Sequence, residues 1–124
     1  MRIGIVGGGI GGFSAALSLA RFGHDIAVFE RASSLSELGA GVQISPNAWR
    51  VLRWLGLSDE FAEIAVLPSR LVIRRWEDDS VIRSNDLDAE TISPWGLSLA
   101  SVARTDLIGM LGAAVSAVPD ISVH

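Results

Sequence analysis

Five of the six residues from Gly7 to Gly12 are glycine, and they lie inside an 18-residue run, Ile3 to Ala20, that carries no charge. Hydropathy alone would make this run, flanked by Arg2 and Arg21, a membrane span or a signal peptide ending at Ser18-Leu19-Ala20. The glycines decide against both. Each glycine in a helix interior costs roughly 1 kcal/mol relative to alanine, and six of the 18 residues are glycine. The run therefore reads as a strand, a glycine turn and a helix. No membrane segment and no export signal is expected, which makes the cytoplasm the expected location.

The local pattern fits a βαβ unit. Arg2 to Val6 is a short β-rich run that stops at glycine, as a buried parallel strand does. Gly11 to Phe22 has a helical period, with Phe13, Ala16, Leu17 and Ala20 on one face, and Gly23 stands where a left-handed C-terminal residue is expected. Ile26 to Glu30 is the next strand. Within this frame Gly7-x-Gly9-x-x-Gly12 is the dinucleotide-binding fingerprint, closed by an acid 18 residues after Gly12. Gly7 permits the tight turn. Gly9 leaves room for a pyrophosphate, and Gly12 lets helix and strand approach. The N–H groups of the first helical turn, from Ile10 and Gly11 onward, offer about half a positive charge to phosphate. Glu30 is placed to accept hydrogen bonds from an adenosine ribose, and its charge would repel a 2′-phosphate. The fingerprint does not separate NAD from FAD, because both carry an ADP half.

Further along, Ser45-Pro46 predicts a helix with serine as N-cap and proline at the first position, running to Leu55 and ending at Gly56. Ser58 to Ala65 is a second short helix. Leu71–Trp76 and Val81–Arg83 alternate around Asp78-Asp79 as a hairpin, although its turn lacks the usual glycine. Ser33 to Val42 and Asp86 to Pro94 read as loop. Thr105 to Val118 is a helix with Thr105 as cap, and Ile121 to His124 begins a strand. The fold class expected is α/β: a Rossmann-like dinucleotide-binding βαβ with a β-hairpin insertion and an incomplete parallel sheet.

Composition narrows the chemistry. The chain has 124 residues, room for one domain. Ten cationic side chains face fourteen acidic ones, a net charge of −4, which argues against nucleic acid as a partner. There is no cysteine, so disulfides, thiolate catalysis and iron–sulfur clusters are excluded. All ten cations are arginine, which excludes a Walker-type lysine and a Schiff base. Two histidines give little support to a metal cluster or a Ser-His-Asp triad. The carboxylates Glu77, Asp78, Asp79, Asp86, Asp88 and Glu90 lack EF-hand spacing and read as a solvated face, so no metal site is expected. Trp49 and Trp54 read as packing residues, and His24 as a solvated charge.

Four blocks carry a family resemblance: GGGIGGFSAALSLARFGHDIAVFERA (7–32), ELGAGVQISPNAWRVLRWLGL (37–57), LVIRRWEDDSVI (71–82) and VARTDLIGML (102–111). The chain resembles class A flavin-dependent aromatic monooxygenases of the salicylate-hydroxylase-like group. The second block is the most telling, since plain NAD-binding domains lack it. The resemblance implies extended FAD as cofactor, NAD(P)H as co-substrate, and oxygen-dependent hydroxylation of a small aromatic substrate. It implies that Glu30 binds the ribose, Arg31 lies beside the adenosine, Gly41 and Val42 pass near the flavin, Gln43 faces flavin or substrate, and Arg104 of the R-x-D-L helix start contacts the cofactor. Some relatives carry a histidine at the Gln43 position that helps deprotonate a phenol. Glutamine is no general base, so no catalytic base is named. A surface ion pair with Asp106 is the plainer alternative for Arg104.

Relatives of that group are about three times as long, so residues 1–124 are expected to be the N-terminal portion of an FAD-binding domain, with about 70–100 belonging to a substrate-side β-sheet. An edge and a face of the parallel sheet are then open, and self-association or a complementing C-terminal chain is expected. The competing reading is a non-catalytic nucleotide-binding or interaction module.

Overall fold

A computed structural model describes residues 1–32, 41–87 and 99–124. The elements in chain order are β1 (Arg2–Val6), α1 (Ile10–Ala20), β2 (Asp25–Phe29), β3 (Gly41–Ile44), α2 (Pro46–Leu55), α3 (Ser58–Ile64), β4 (Arg70–Arg74), β5 (Val81–Asp86), β6 (Ala100–Ala103), α4 (Arg104–Ser116) and β7 (Ile121–Val123). The expected α/β class is observed. Among the described residues no helix is long and apolar enough to cross a membrane.

Three strands form a parallel sheet in the order β1-β2-β7. The register is even: Ile3, Ile26 and Ile121 share one level, and Ile5, Val28 and Val123 another. Parallel in-register pairing points each row to one face. This face meets Phe13, Ala16 and Leu17 of α1 and Leu107, Ile108, Leu111 and Val115 of α4, which together form the buried core. Burying one such side chain contributes about 1.5–3 kcal/mol, so this layer dominates the stability. The other face carries Gly4, Ala27 and Ser122, then Val6, Phe29 and His124. The Phe29 and His124 rings stack with centroids 5.3 Å apart, and the His124 main chain continues the pairing, its N–H donating to Val28 and its C=O accepting from Glu30.

Two smaller sheets complete the fold. β3 and β6 pair antiparallel, with Gly41 opposite Ala103 and Gln43 opposite Ser101. Val42, Ile44, Ala100 and Val102 turn inward to the core, leaving Gly41, Gln43, Ser101 and Ala103 on the outer face. Neither strand was expected: each is four residues long, too short to show a period, and their pairing spans some sixty positions. β4 and β5 form the expected hairpin, longer than predicted at Arg70 and Asp86 and shorter at Arg74. Trp76 falls in the turn. In place of glycine, Asp79 takes the left-handed conformation at φ 58°, held by Arg74, which donates to its carbonyl and its carboxylate.

Helix ends differ in detail from the sequence reading. α1 starts at Ile10 and ends at Ala20, and Gly23 (φ 76°) closes the turn that follows. α2 begins at Pro46 and stops at left-handed Gly56, as expected. Ser45 holds the N-cap position, but its hydroxyl donates to the Asn47 side chain instead of capping the backbone. Thr105 is not a cap, because α4 starts one residue earlier with Ala103 as N-cap. Trp49 is buried, edge-on to Phe61 at 5.0 Å, with Nε1 donating to Ser58 Oγ. Trp54 departs from the packing role expected of it, lying 46% exposed against Phe22 and Arg21. The expected loop segments 33–40 and 88–94, and Trp95, lie outside the described residues.

Candidate functional site

The glycine turn is closed by backbone geometry that tolerates no side chain at two points. Gly7 sits at φ 105°, a conformation open chiefly to glycine, and its N–H donates to the Phe29 carbonyl at 2.8 Å, tying the end of β1 to the end of β2. A Cβ on Gly12 would come 1.8 Å from the Gly7 carbonyl oxygen. Helix and turn are thus in contact at Gly12, as the fingerprint requires.

The remaining glycines do different work. A Cβ on Gly9 or Gly11 would meet no described residue within 4 Å, so among the described residues the space above the first turn of α1 is open. Gly9 is the N-cap in extended conformation, without a side-chain cap, and its carbonyl accepts the Phe13 N–H to start the helix. The N–H groups of Ile10, Gly11 and Gly12 have no intrahelical acceptor. Open space bounded by unpaired N–H groups at a dipole's positive end fits a diphosphate.

Gly8 was not singled out in the sequence, and it is the residue that joins the turn to the acid. Its N–H donates to Glu30 Oε2 at 2.6 Å. A Cβ there would stand 3.0 Å from Glu30 Cβ and 3.2 Å from Phe13 Cζ. The signal available was the unbroken Gly7-Gly8-Gly9 triplet, which exceeds what the fingerprint needs. Glu30 Oε1 accepts the Ala32 N–H at 2.7 Å. These two backbone donors, Ala32 first and Gly8 second, hold the Glu30 carboxyl below its ordinary range against partial desolvation. Each oxygen keeps a lone pair for a further donor such as a ribose hydroxyl.

The other predicted site residues form a second group. Gly41 pairs with Ala103, so Arg104, the first residue of α4, leaves β6 beside the start of β3. Gln43 is exposed on the outer face of this ladder, while Val42 turns inward and is half-buried. The two groups are joined through α4, which packs along α1. The Asp106 carboxylate accepts from the Thr105 hydroxyl at 3.5 Å. Arg31 is exposed just after Glu30. Among the described residues no group of three or more His, Cys, Asp or Glu side chains could hold a metal ion.

Known proteins are similar to this chain in sequence and fold. The 6-hydroxynicotinate 3-monooxygenase of Pseudomonas fluorescens is 35% identical over 119 residues, 96% of this chain and 30% of that protein. The salicylate hydroxylase of Pseudomonas putida is 40% identical over 116 residues, 90% of this chain and 26% of that protein. Among solved structures, the tetrameric form of 2-methyl-3-hydroxypyridine-5-carboxylic acid oxygenase superposes with a TM-score of 0.82 at 28% identity, covering 98% of this chain and 31% of that one. The chain spans less than a third of the length of each. The family described as "FAD binding domain" matches residues 1–117. With nearly every element inside that match, the chain belongs to the FAD-binding-domain family.

Proposed function

We propose that this chain is the N-terminal, cofactor-receiving portion of a flavin-dependent monooxygenase that hydroxylates a small aromatic substrate with NAD(P)H and oxygen. The observation that carries the reading is the open first turn of α1, with Glu30 fastened to Gly8 at its side. FAD, when bound, supplies the redox chemistry that no side chain of this protein offers. Ile10, Gly11 and Gly12 receive the diphosphate through backbone N–H groups, Gly9 and Gly11 leave it space, and Gly7 makes the turn that holds it. Glu30 takes the adenosine ribose, and Arg31 lies beside the adenosine. Gly41, Val42 and Gln43 line the flavin end, and Arg104 holds the cofactor from the start of α4. Gln43 orients by hydrogen bonding but does not remove a proton near neutral pH.

The hairpin supports a further division of labour. Every residue from Arg70 to Arg74 is exposed, Leu71, Val72 and Ile73 among them. We assign about 70–100 to a substrate-side sheet. Location in the cytoplasm belongs to the same proposal, and fractionation of the source cells tests it.

Titration with FAD, followed by quenching of flavin fluorescence, tests the reading, with AMP as competitor. Saturable binding that weakens in Arg104→Ala supports it. Equal affinity for FAD and AMP, unchanged by Arg104→Ala, replaces it with a nucleotide-binding module that lacks a flavin site.

A further inference from the structure

Two surfaces of the chain lie outside the cofactor turn and complement each other. The first is an aromatic knob. Phe22, just after α1, is 69% exposed, and Trp54, on the outer side of α2, is 46% exposed. Their ring centroids are 6.0 Å apart. The Arg21 guanidinium lies 5.0 Å from the centroid of the Trp54 ring, and Val51 and Arg53 are exposed on the same helix, α2. Large aromatic side chains with arginine at their edge are the composition of interface hot spots, not of ordinary surface.

The second surface is a groove of about 690 Å³ between α3 and α4. Its floor is apolar and smooth, made by Ile64, Met110 and Ala113. Its edge carries Glu60, Glu63 and Asp106, and among the described residues no cationic side chain lines it. Ion pairs among the described residues join only Arg70 to Asp86 and Arg74 to Asp79, both in the hairpin.

We propose that copies of this chain associate head to tail, the Phe22–Trp54 knob of one seated in the α3–α4 groove of the next. The two surfaces share no residue, so the contact is heterologous, and a pair of copies leaves one knob and one groove free for further copies. Charge selects this occupant. Arg21 and Arg53 meet three carboxylates, while the aromatic rings cover Met110 and Ala113. An anionic membrane is the other natural taker of an aromatic–arginine surface, but the chain's net charge of −4 opposes it. Acidic edges steer and orient the approach, and the buried aromatics hold the contact.

Sedimentation velocity of the purified 124-residue chain, from roughly 10 to 300 µM, spans the affinities of such a contact. Association is expected to grow with concentration and to weaken between about 0.05 and 0.5 M salt. Trp54→Ala should weaken it about tenfold or more. Reversing the knob (Arg21→Glu with Arg53→Glu) or the groove (Glu60→Arg with Glu63→Arg) should abolish it in each variant alone. Mixing the two variants should restore it, because the reversed knob then meets the reversed groove. Far-UV circular dichroism checks that each variant is folded, and the mixture supplies its own control. Three results overturn the proposal: a wild-type chain monomeric throughout the range, association that ignores both reversals, or co-sedimentation with anionic phospholipid vesicles in place of self-association.

Discussion

Glu30 Oε2 accepts the Gly8 N–H at 2.6 Å across 22 positions of sequence. The bond fixes an acid at the end of β2 against the turn at the end of β1. Glu30→Gln replaces a charge-assisted acceptor by an amide whose NH₂ opposes the N–H of Gly8 or Ala32. Hydrogen bonds to charged groups contribute about 1.5–3 kcal/mol. FAD affinity should therefore fall roughly tenfold to a hundredfold, read by fluorescence titration. An unchanged affinity would remove Glu30 from the cofactor site.

The same carboxyl links stability to acid. Backbone N–H groups of Ala32 and Gly8 hold it below the ordinary glutamate value of 4.5. A group lowered in the folded state contributes stability above its unfolded value and loses it as pH falls through the folded one. The wild type should accordingly lose more stability than Glu30→Gln on acidification below about pH 4.5. Asp78 is lowered too, by the Ser80 hydroxyl and N–H, but it is common to both proteins and cancels. Parallel urea denaturation across this range is the measurement.

Two glycines of one motif should respond oppositely to alanine. In Gly12→Ala the new methyl would stand 1.8 Å from the Gly7 carbonyl oxygen, a backbone atom that cannot swing away. Overpacking of this kind costs about 1–3 kcal/mol or more. In Gly9→Ala the methyl enters open space at φ −85°, so stability should stay within about 0.5 kcal/mol while FAD binding weakens. Thermal unfolding and FAD titration of both variants separate the roles.

Phe61 is fully buried and meets Trp49 edge-on at 5.0 Å. Phe61→Ala leaves a cavity between α2 and α3 and should cost about 3–5 kcal/mol. Denaturant unfolding monitored by tryptophan fluorescence reads both the loss and the change around Trp49.

The βαβ unit was legible because its signals are local and redundant. Gly7, Gly12 and Gly23 each mark a distinct backbone event, and Phe13, Ala16 and Leu17 repeat at helical spacing. The Ser45-Pro46 start and Gly56 stop of α2 were legible for the same reason. β3 and β6 were hidden, since Gly41 and Ala103 meet only through tertiary pairing. Trp54 misled because hydrophobicity says nothing about which side of α2 faces outward. In the site, Glu30 was legible by its spacing, whereas Gly8 needed coordinates: its role is set by where the Glu30 side chain returns.

The even register of β1, β2 and β7 has a further effect at the top of the sheet. Val6, Phe29 and His124 finish level, like planks sawn to one length, so Gly7 and Glu30, which follow the first two, emerge on a common lip. A single residue inserted within β2 before Ile26, without a bulge, would carry the rest of the strand forward by about 3.3 Å and turn its side chains over. The acid would then be carried past the lip and face the wrong layer. One residue added at the start of β2 therefore disables the cofactor seat from the opposite end of the sheet, without touching a single glycine.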